Sequence, residues 1–349
     1  MKILKASVCL FVVVGLLAIL TGCPKTANKE EPKGKVYFNF FDTVSYIYSY
    51  AGDSQEQFEK NSDAVAEILN DYHQLFDIYH EYSGKTNLCT INNNAGGEPL
   101  TVDERLIDFL IIAKELYDKT NGEMNIMLGS VLRPWHDCRE QASNDPQNSK
   151  IPDEQVLAYA SAHTSITLLE IDEENKTVRI SDPLARIDAG AFGKGYATEM
   201  AAQMLIDNGV QSYVLNIGGN IRIIGTKPDG SGWRTGIKNP QNPQEFSLKI
   251  DLSNTSCVTS GSYERFFTVD GKRYHHIIDK DTNFPASHFS SVSIICADSG
   301  LADALSTALF LLPQAEGQKL LEKTGAKAMW VDAVGNVYYS PGFEEMIRT

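Results

Sequence analysis

Cysteine is sparse in this chain, and where it occurs it is unpaired in pattern. Six cysteines are spread over 349 residues; Cys9 and Cys23 fall in the opening stretch, leaving Cys89, Cys138, Cys257 and Cys296 in the body. None forms a C-x-x-C pair, which excludes a zinc-ribbon site or a disulfide framework. Buried or reduced thiols are expected, with room for one bridge. Positive charge is also short, with 31 Lys and Arg against 45 Asp and Glu and a formal net charge of −14. A nucleic-acid partner wants a basic face, so that class is excluded. His73, His80, His136, His163 and His288 lack metal-ligand spacing. No internal repeat, low-complexity block or second linker divides the chain, and its composition is that of an ordinary globular protein.

What is present begins with an address. Lys2 and Lys5 precede an apolar run over residues 8–20 that ends at Thr21-Gly22-Cys23. A charged start, an apolar core too short for a comfortable span and a small-residue end make a secretory signal. The ending Leu-Thr-Gly-Cys resembles a bacterial lipobox, so residues 1–22 are expected to be removed and Cys23 to carry lipid. Residues 24–35 then read as a polar, proline-containing tether. The mature charge is near −16, because the leader takes two lysines and no acid with it.

From residue 36 the pattern alternates between strand and helix signals. Residues 36–50 are aromatic and β-branched, as in a strand or hairpin. Helical spacing runs from Ser54 to about His80 and again after Leu100, where Thr101 and Glu104 suggest a capping box. A further helix follows Pro152-Asp153, and residues 165–180 read as a hairpin. Ala197, Met200, Ala201, Met204 and Leu205 line one helical face, which Asn208-Gly209 end. Residues 212–225 read as strand, Gly-Gly-Asn turn, strand; short strands fill 233–296; helix resumes over 298–312. This order suggests an α+β fold with an antiparallel-rich sheet and flanking helices.

Several clusters offer chemistry. The stretch 187–198, IDAGAFGKGYAT, packs three glycines around Lys194 where a helix begins. It matches neither a Walker A loop nor the G-x-G-x-x-G fingerprint. Free N–H groups at a helix start and a lysine favour an anion, and close backbone approach to a phosphate would account for the glycines. A plain strand-to-helix turn with a solvated lysine accounts for them as well. Asp303 and Thr307 stand at i and i+4 on an otherwise apolar helix. A carboxylate and a hydroxyl there suit a hard cation that keeps waters for phosphate oxygens, as Mg²⁺ does. An early-turn aspartate favoured by the helix dipole gives the same pattern. Residues 273–286 crowd His275, His276, Asp279 and Asp281 together. A histidine with a neighbouring aspartate makes a base and its orienter, and on a strand only one of two adjacent histidines faces a given site. Tyr79, Trp135, Trp233 and Tyr263 are possible ring-stacking residues.

Taken in order, these pieces resemble the ApbE-type FAD:protein FMN transferases, many of which are exported lipoproteins. The resemblance runs from about residue 36 to about 340 through FDT, IDAGAFGKGYA, LNIGGNI, Trp233 to Pro240, TSGSYER, HHIID and ADALSTA. It implies a single T-fold-related domain over 36–349. It also implies Mg²⁺-dependent cleavage of FAD, movement of FMN onto a Thr or Ser hydroxyl of an extracytoplasmic flavoprotein, and release of AMP. The metal would take the Ala191 carbonyl, Asp303 and Thr307. Asp188 and Lys194 would contact FAD, Ile277 the flavin nucleotide, and Tyr79 the adenine end. Phe41 replaces a family Met, and Glu123, Met124 and Asn125 stand where the family often has Ala-Phe-Asp. His276 is expected to be the base for the acceptor hydroxyl, with Asp279 orienting or replacing it. The family loop D-P-x-T-G-x-P reads here Asp279-Lys280-Asp281-Thr282-Asn283-Phe284-Pro285. Two other activities keep the same motifs: an FAD pyrophosphatase giving FMN and AMP, and a flavin-binding lipoprotein without catalysis. The expected location is the outer face of the cell membrane, held by the lipid on Cys23.

Overall fold

The structure, a computed structural model, describes residues 32–348. The leader, Cys23 and most of the tether lie outside the described residues. The tether is shorter than expected: a strand already begins at Lys33, because residues 33–35 pair with Ser49, Tyr48 and Ile47 in an antiparallel ladder.

Eight strands form the central sheet, in the order Lys33–Phe40, Thr43–Ser49, Tyr213–Ile217, Asn220–Ile224, Ser256–Gly261, Phe289–Cys296, Lys327–Asp332, Val337–Tyr339. Every neighbouring pair is antiparallel. Side chains alternate across a strand, so each face builds its own core. Tyr213, Leu215 and Ile217 turn toward the helices Gln55–Phe76 and Gly193–Asp207. Val214 and Ile223 turn the other way, onto Trp233, Ile237, Ile250 and Leu252 of a three-stranded sheet made by Trp233–Asn239, Asn242–Leu252 and Ile347–Arg348. A third cluster joins the helices Gly129–Asn144 and Glu154–Ser161 to the hairpin of Phe266–Val269 and Lys272–His275 through Trp135, Leu157, Phe267 and Ile278.

Local chemistry accounts for most boundaries. Ser54 caps the first long helix, which stops at Phe76 rather than His80 because Asp77 is extended and turns its carboxylate back on the amides of Tyr79 and His80. The helix Glu104–Lys119 is capped by Asp103, which accepts from the Arg105 amide; Thr101 is in a short strand, so the expected capping box does not form. The Gly218-Gly219 turn has φ of 57° and 95°, and a Cβ on Gly218 would lie 2.5 Å from Thr43. The helix Gly129–Asn144 carries Pro134 inside it and no side-chain cap, so neither capping nor breaker signals announce it. All four body cysteines are buried and free, as expected. Among the described residues, no helix is long and apolar enough to cross a membrane.

Candidate active site

Two of the three glycines of the 187–198 stretch, Gly193 and Gly195, serve packing. The helix Gly193–Asp207 crosses the helix Ser299–Leu311 so closely that a Cβ on Gly195 would lie 2.4 Å from both the Asp303 Cβ and the Ser299 carbonyl oxygen. Gly300 answers from the other helix, against the Tyr196 backbone, and Gly193 sits on the Phe76 ring. Packing therefore accounts for Gly193 and Gly195 without a phosphate, while Gly190 is exposed and has only the Asp188 carboxylate near it. Bare backbone at the crossing brings the two helices' functional groups together.

At that crossing three oxygen donors converge from distant segments. The Gly195 amide donates to Asp303 Oδ2 at 2.8 Å, and Asn220 Nδ2 donates to the same oxygen at 3.3 Å. One turn on, the Thr307 hydroxyl donates to the Ala191 carbonyl at 3.1 Å. Asp303 is only 5% exposed, and burial raises its carboxyl above the usual range while Lys194 opposes the shift. Among the described residues, the buried Asn220 Oδ1 has no hydrogen-bond partner. Among the described residues, no three His, Cys, Asp or Glu side chains gather into a metal-binding group. The donor set at the crossing is thus one carboxylate, one hydroxyl and one carbonyl. These are hard oxygen ligands in the small number that suits a Mg²⁺ ion sharing its shell with water and phosphate, and the partnerless Asn220 Oδ1 can accept from such a water. The residues present fit the ion.

The histidine pair resolves cleanly. His275 Nε2 donates to the Ala286 carbonyl at 2.8 Å, and its Nδ1 accepts from the Ile277 amide at 3.3 Å, so both ring nitrogens are used in the hairpin. His276 Nδ1 lies 3.2 Å from the Arg265 carbonyl. A carbonyl only accepts, so Nδ1 carries the proton and Nε2 is left as an acceptor. Burial, then Arg265 and Lys194, lower the His276 pKa to about 3, which keeps the ring neutral. Asp279 Oδ1 accepts from the amides of Asp281 and Thr282 and shapes the following loop. In this structure the ring of His276 is oriented by the Arg265 carbonyl.

The nucleotide residues divide into those facing one another and those absorbed by the fold. Asp188 accepts from the Gly190 amide at 2.7 Å, and burial raises its carboxyl while His136, Arg265 and Arg139 pull it back. Tyr79 stacks on His136 with centroids 4.8 Å apart. Burial first, then Asp188, pushes its phenol up to about 12. Trp135 and Trp233 are buried in core clusters, Tyr263 is half-buried with its ring beside Gly261, and Tyr79 is exposed. Phe41 is held at φ 52°, in the left-handed region that bulky residues avoid; its amide donates to His73 Nδ1 at 3.2 Å, and Arg265 reaches its carbonyl. Ile277 is buried beside His276. Met124 is fully buried in the core, and Asn125 uses its amide on the Thr164 carbonyl and the Met127 amide. Both side chains hold the turn. Glu123 pairs with Lys280.

Sequence reasoning missed Asn220, Arg139, Arg265 and His136. Asn220 and Arg265 sit inside LNIGGNI and TSGSYER and were within reach of those motifs. Arg139 and His136 lie on the unannounced helix, and only the fold brings them to Asp188.

Against known proteins, the sequence model described as the ApbE family matches residues 42–330. The FAD:protein FMN transferase of Treponema pallidum (strain Nichols) is 32% identical over 277 residues, 75% of each chain. That of Klebsiella pneumoniae (strain 342) is 24% identical over 343 residues, 96% of each chain. The crystal structure of the ApbE protein from Thermotoga maritima superimposes with a TM-score of 0.80 at 28% identity, covering 91% of this chain and 100% of that one.

Proposed function

The chain belongs to the ApbE family, and from that premise we propose that it moves FMN from FAD onto a Thr or Ser hydroxyl of an extracytoplasmic flavoprotein and releases AMP, with Mg²⁺ held by the Ala191 carbonyl, Asp303 and Thr307. The observation that carries this reading is the helix crossing, where a buried carboxylate, a hydroxyl and a carbonyl meet beside Lys194. Bound there, Mg²⁺ would neutralise pyrophosphate charge and polarise its oxygens.

The protein's own groups supply the rest. Lys194 acts electrostatically on both Asp303 and His276, so its charge is felt at the metal end and at the base. It would balance charge on the pyrophosphate oxygens as the bond to AMP breaks. His276 Nε2 would take the acceptor hydroxyl's proton as that oxygen bonds to the FMN phosphorus; AMP departs with the other phosphate. The lowered pKa keeps the ring in its neutral form, and negative charge on the bound phosphates would offset Arg265 and Lys194 and raise its basicity when substrate is present. Tyr79, stacked on His136, offers a flat face for adenine, with Asp188 and Arg139 beside it. The apolar run 8–20 followed by Leu-Thr-Gly-Cys supports export and anchoring through Cys23 on the outer membrane face.

The test is incubation with FAD and Mg²⁺, with and without a Thr-bearing acceptor domain. AMP release together with a fluorescent flavin-labelled acceptor is expected. AMP and free FMN without labelling would make water the acceptor, and intact FAD would remove catalysis from the reading. Cys23→Ala should release the protein from the membrane fraction; retention there would refute the anchor.

A further inference from the structure

Two positions that depart from the family pattern meet in space. Glu123 stands where the family often has Ala, and Lys280 where the D-P-x-T-G-x-P loop has Pro. Lys280 Nζ lies 3.2 Å from Glu123 Oε1 and 2.9 Å from Asp281 Oδ2. The Glu123 and Lys280 side chains are 14% and 27% exposed, so the contact is largely shielded from water. Opposite this contact, Trp135 Nε1 donates to the Asn283 carbonyl at 2.9 Å, and the Phe284 ring meets Trp135 edge-on. The 279–285 loop is therefore gripped from two sides, and His276 and Ile277 lead directly into it.

A proline at position 280 would fix one backbone angle and restrict the residue before it, stiffening the loop before any contact forms. A glycine at 283 would adopt the left-handed angle without strain, whereas Asn283 holds φ 61° at some cost. This chain has neither aid. We propose that the Glu123–Lys280 ion pair is a latch that replaces the missing proline: it positions the 276–285 segment, and with it His276 and Ile277, against the 121–128 turn. Burial raises the Glu123 carboxyl while Lys280 opposes the shift, in keeping with a pair removed from bulk water. Its effect on nucleotide binding rests on the flavin-transfer reading; the latch itself does not. Glu123 and Lys280 are positioning residues.

The experiment compares the wild-type chain with Glu123→Ala, Lys280→Ala, Lys280→Arg, the double alanine variant, and Glu123→Ala combined with Lys280→Pro. Among the described residues nothing accepts from the Lys280 amide, so proline there removes no hydrogen bond. Amide hydrogen exchange without ligand reads the latch at Asp279, Asn283 and Ala286, whose N–H groups bond the carbonyls of Phe284, Asp279 and Ile277. FAD affinity by flavin fluorescence, and KM against kcat, read its consequence. Either single alanine should speed exchange about three- to ten-fold, raise the FAD Kd and KM similarly, and lower kcat by a comparable factor because His276 rides on the same segment. The double alanine variant should be no worse than either single. Lys280→Arg and the proline rescue should return near wild type. Unchanged exchange in the single variants, or a proline rescue as poor as Glu123→Ala alone, overturns the latch. Exchange that follows the expected pattern in a protein that binds no FAD upholds the latch and refutes the functional reading.

Discussion

Gly195→Ala is the most searching perturbation of the site, because its sign depends on the helix crossing alone. In an ordinary helix interior the change would stabilise by about 1 kcal/mol through backbone propensity. Here the new methyl would lie 2.4 Å from the Asp303 Cβ and the Ser299 carbonyl oxygen. Carbon atoms pack at about 3.5–4.0 Å, so the helices must part by roughly 1 Å or more. Overpacking of this kind costs about 1–3 kcal/mol, which exceeds the propensity gain or at least cancels it. The geometric effect is larger than the energetic one. Ala191 sits on one side of the crossing and Asp303 and Thr307 on the other, and Mg²⁺ tolerates little departure from about 2.0–2.1 Å. Thermal unfolding with and without Mg²⁺, and AMP release titrated with Mg²⁺, read both effects. We expect a Tm at or a few degrees below wild type, an increase of about ten-fold or more in the Mg²⁺ needed for half activity, and a rate loss on the order of 10²-fold. A variant with raised Tm and an unchanged Mg²⁺ titration would refute the argument that the crossing sets the site.

Other outcomes follow from the same geometry. Asp303→Asn keeps an acceptor for the Gly195 amide and removes a buried charge, so metal-free Tm should hold or rise while Mg²⁺-dependent AMP release is lost. His276→Ala should slow transfer by about 10²–10⁴-fold with FAD binding nearly intact, whereas His275→Ala should loosen the hairpin without that specific loss. Because the free His276 is held near pKa 3, below its ordinary 6.5, its base form persists as pH falls from 8 to 6. At saturating Mg²⁺, kcat/KM should then show no limb near 6.5, and finding one that His276→Ala removes would contradict the assignment. Glu199→Ala leaves Arg222, only 6% exposed, without its partner and should cost about 3–5 kcal/mol in chemical denaturation; pairing it with Arg222→Met should recover much of that.

The fold was legible in sequence wherever a local signal and the tertiary structure agreed. Alternation around Gly218-Gly219 gave the central hairpin, and helical spacing gave the helix that carries Asp303 and Thr307. Glu104–Lys119 was legible as a helix, but its cap was not: Asp103 competes with Thr101 for the same job, and the strand pairing of Thr101 decides the contest. Gly129–Asn144 was hidden because Gly129 and Pro134 argue locally against a helix that tertiary packing of Trp135 and Cys138 enforces. At the site, residue types were readable and their partners were not. The glycines of 187–198 looked like a ligand cradle because the residues that need their emptiness lie more than a hundred positions away. Asp279 looked like a partner for His276 by proximity in sequence, yet one of its carboxylate oxygens holds the turn it begins and the ring is met by the Arg265 carbonyl.

The span between Ala191 and Thr307 is 116 residues, and that between Gly195 and Asp303 is 108. A chain emerging from its N-terminus has the carbonyl half of the cation site long before the carboxylate half exists. Contacts of this sequence separation close late in folding, after the central hairpin and the first helices have their local partners. Cation binding at the crossing, as proposed above, would therefore report on completed folding: it would reward only chains whose last third has docked. A polypeptide stopped short of residue 307 should hold no such ion, however well its first two-thirds are formed.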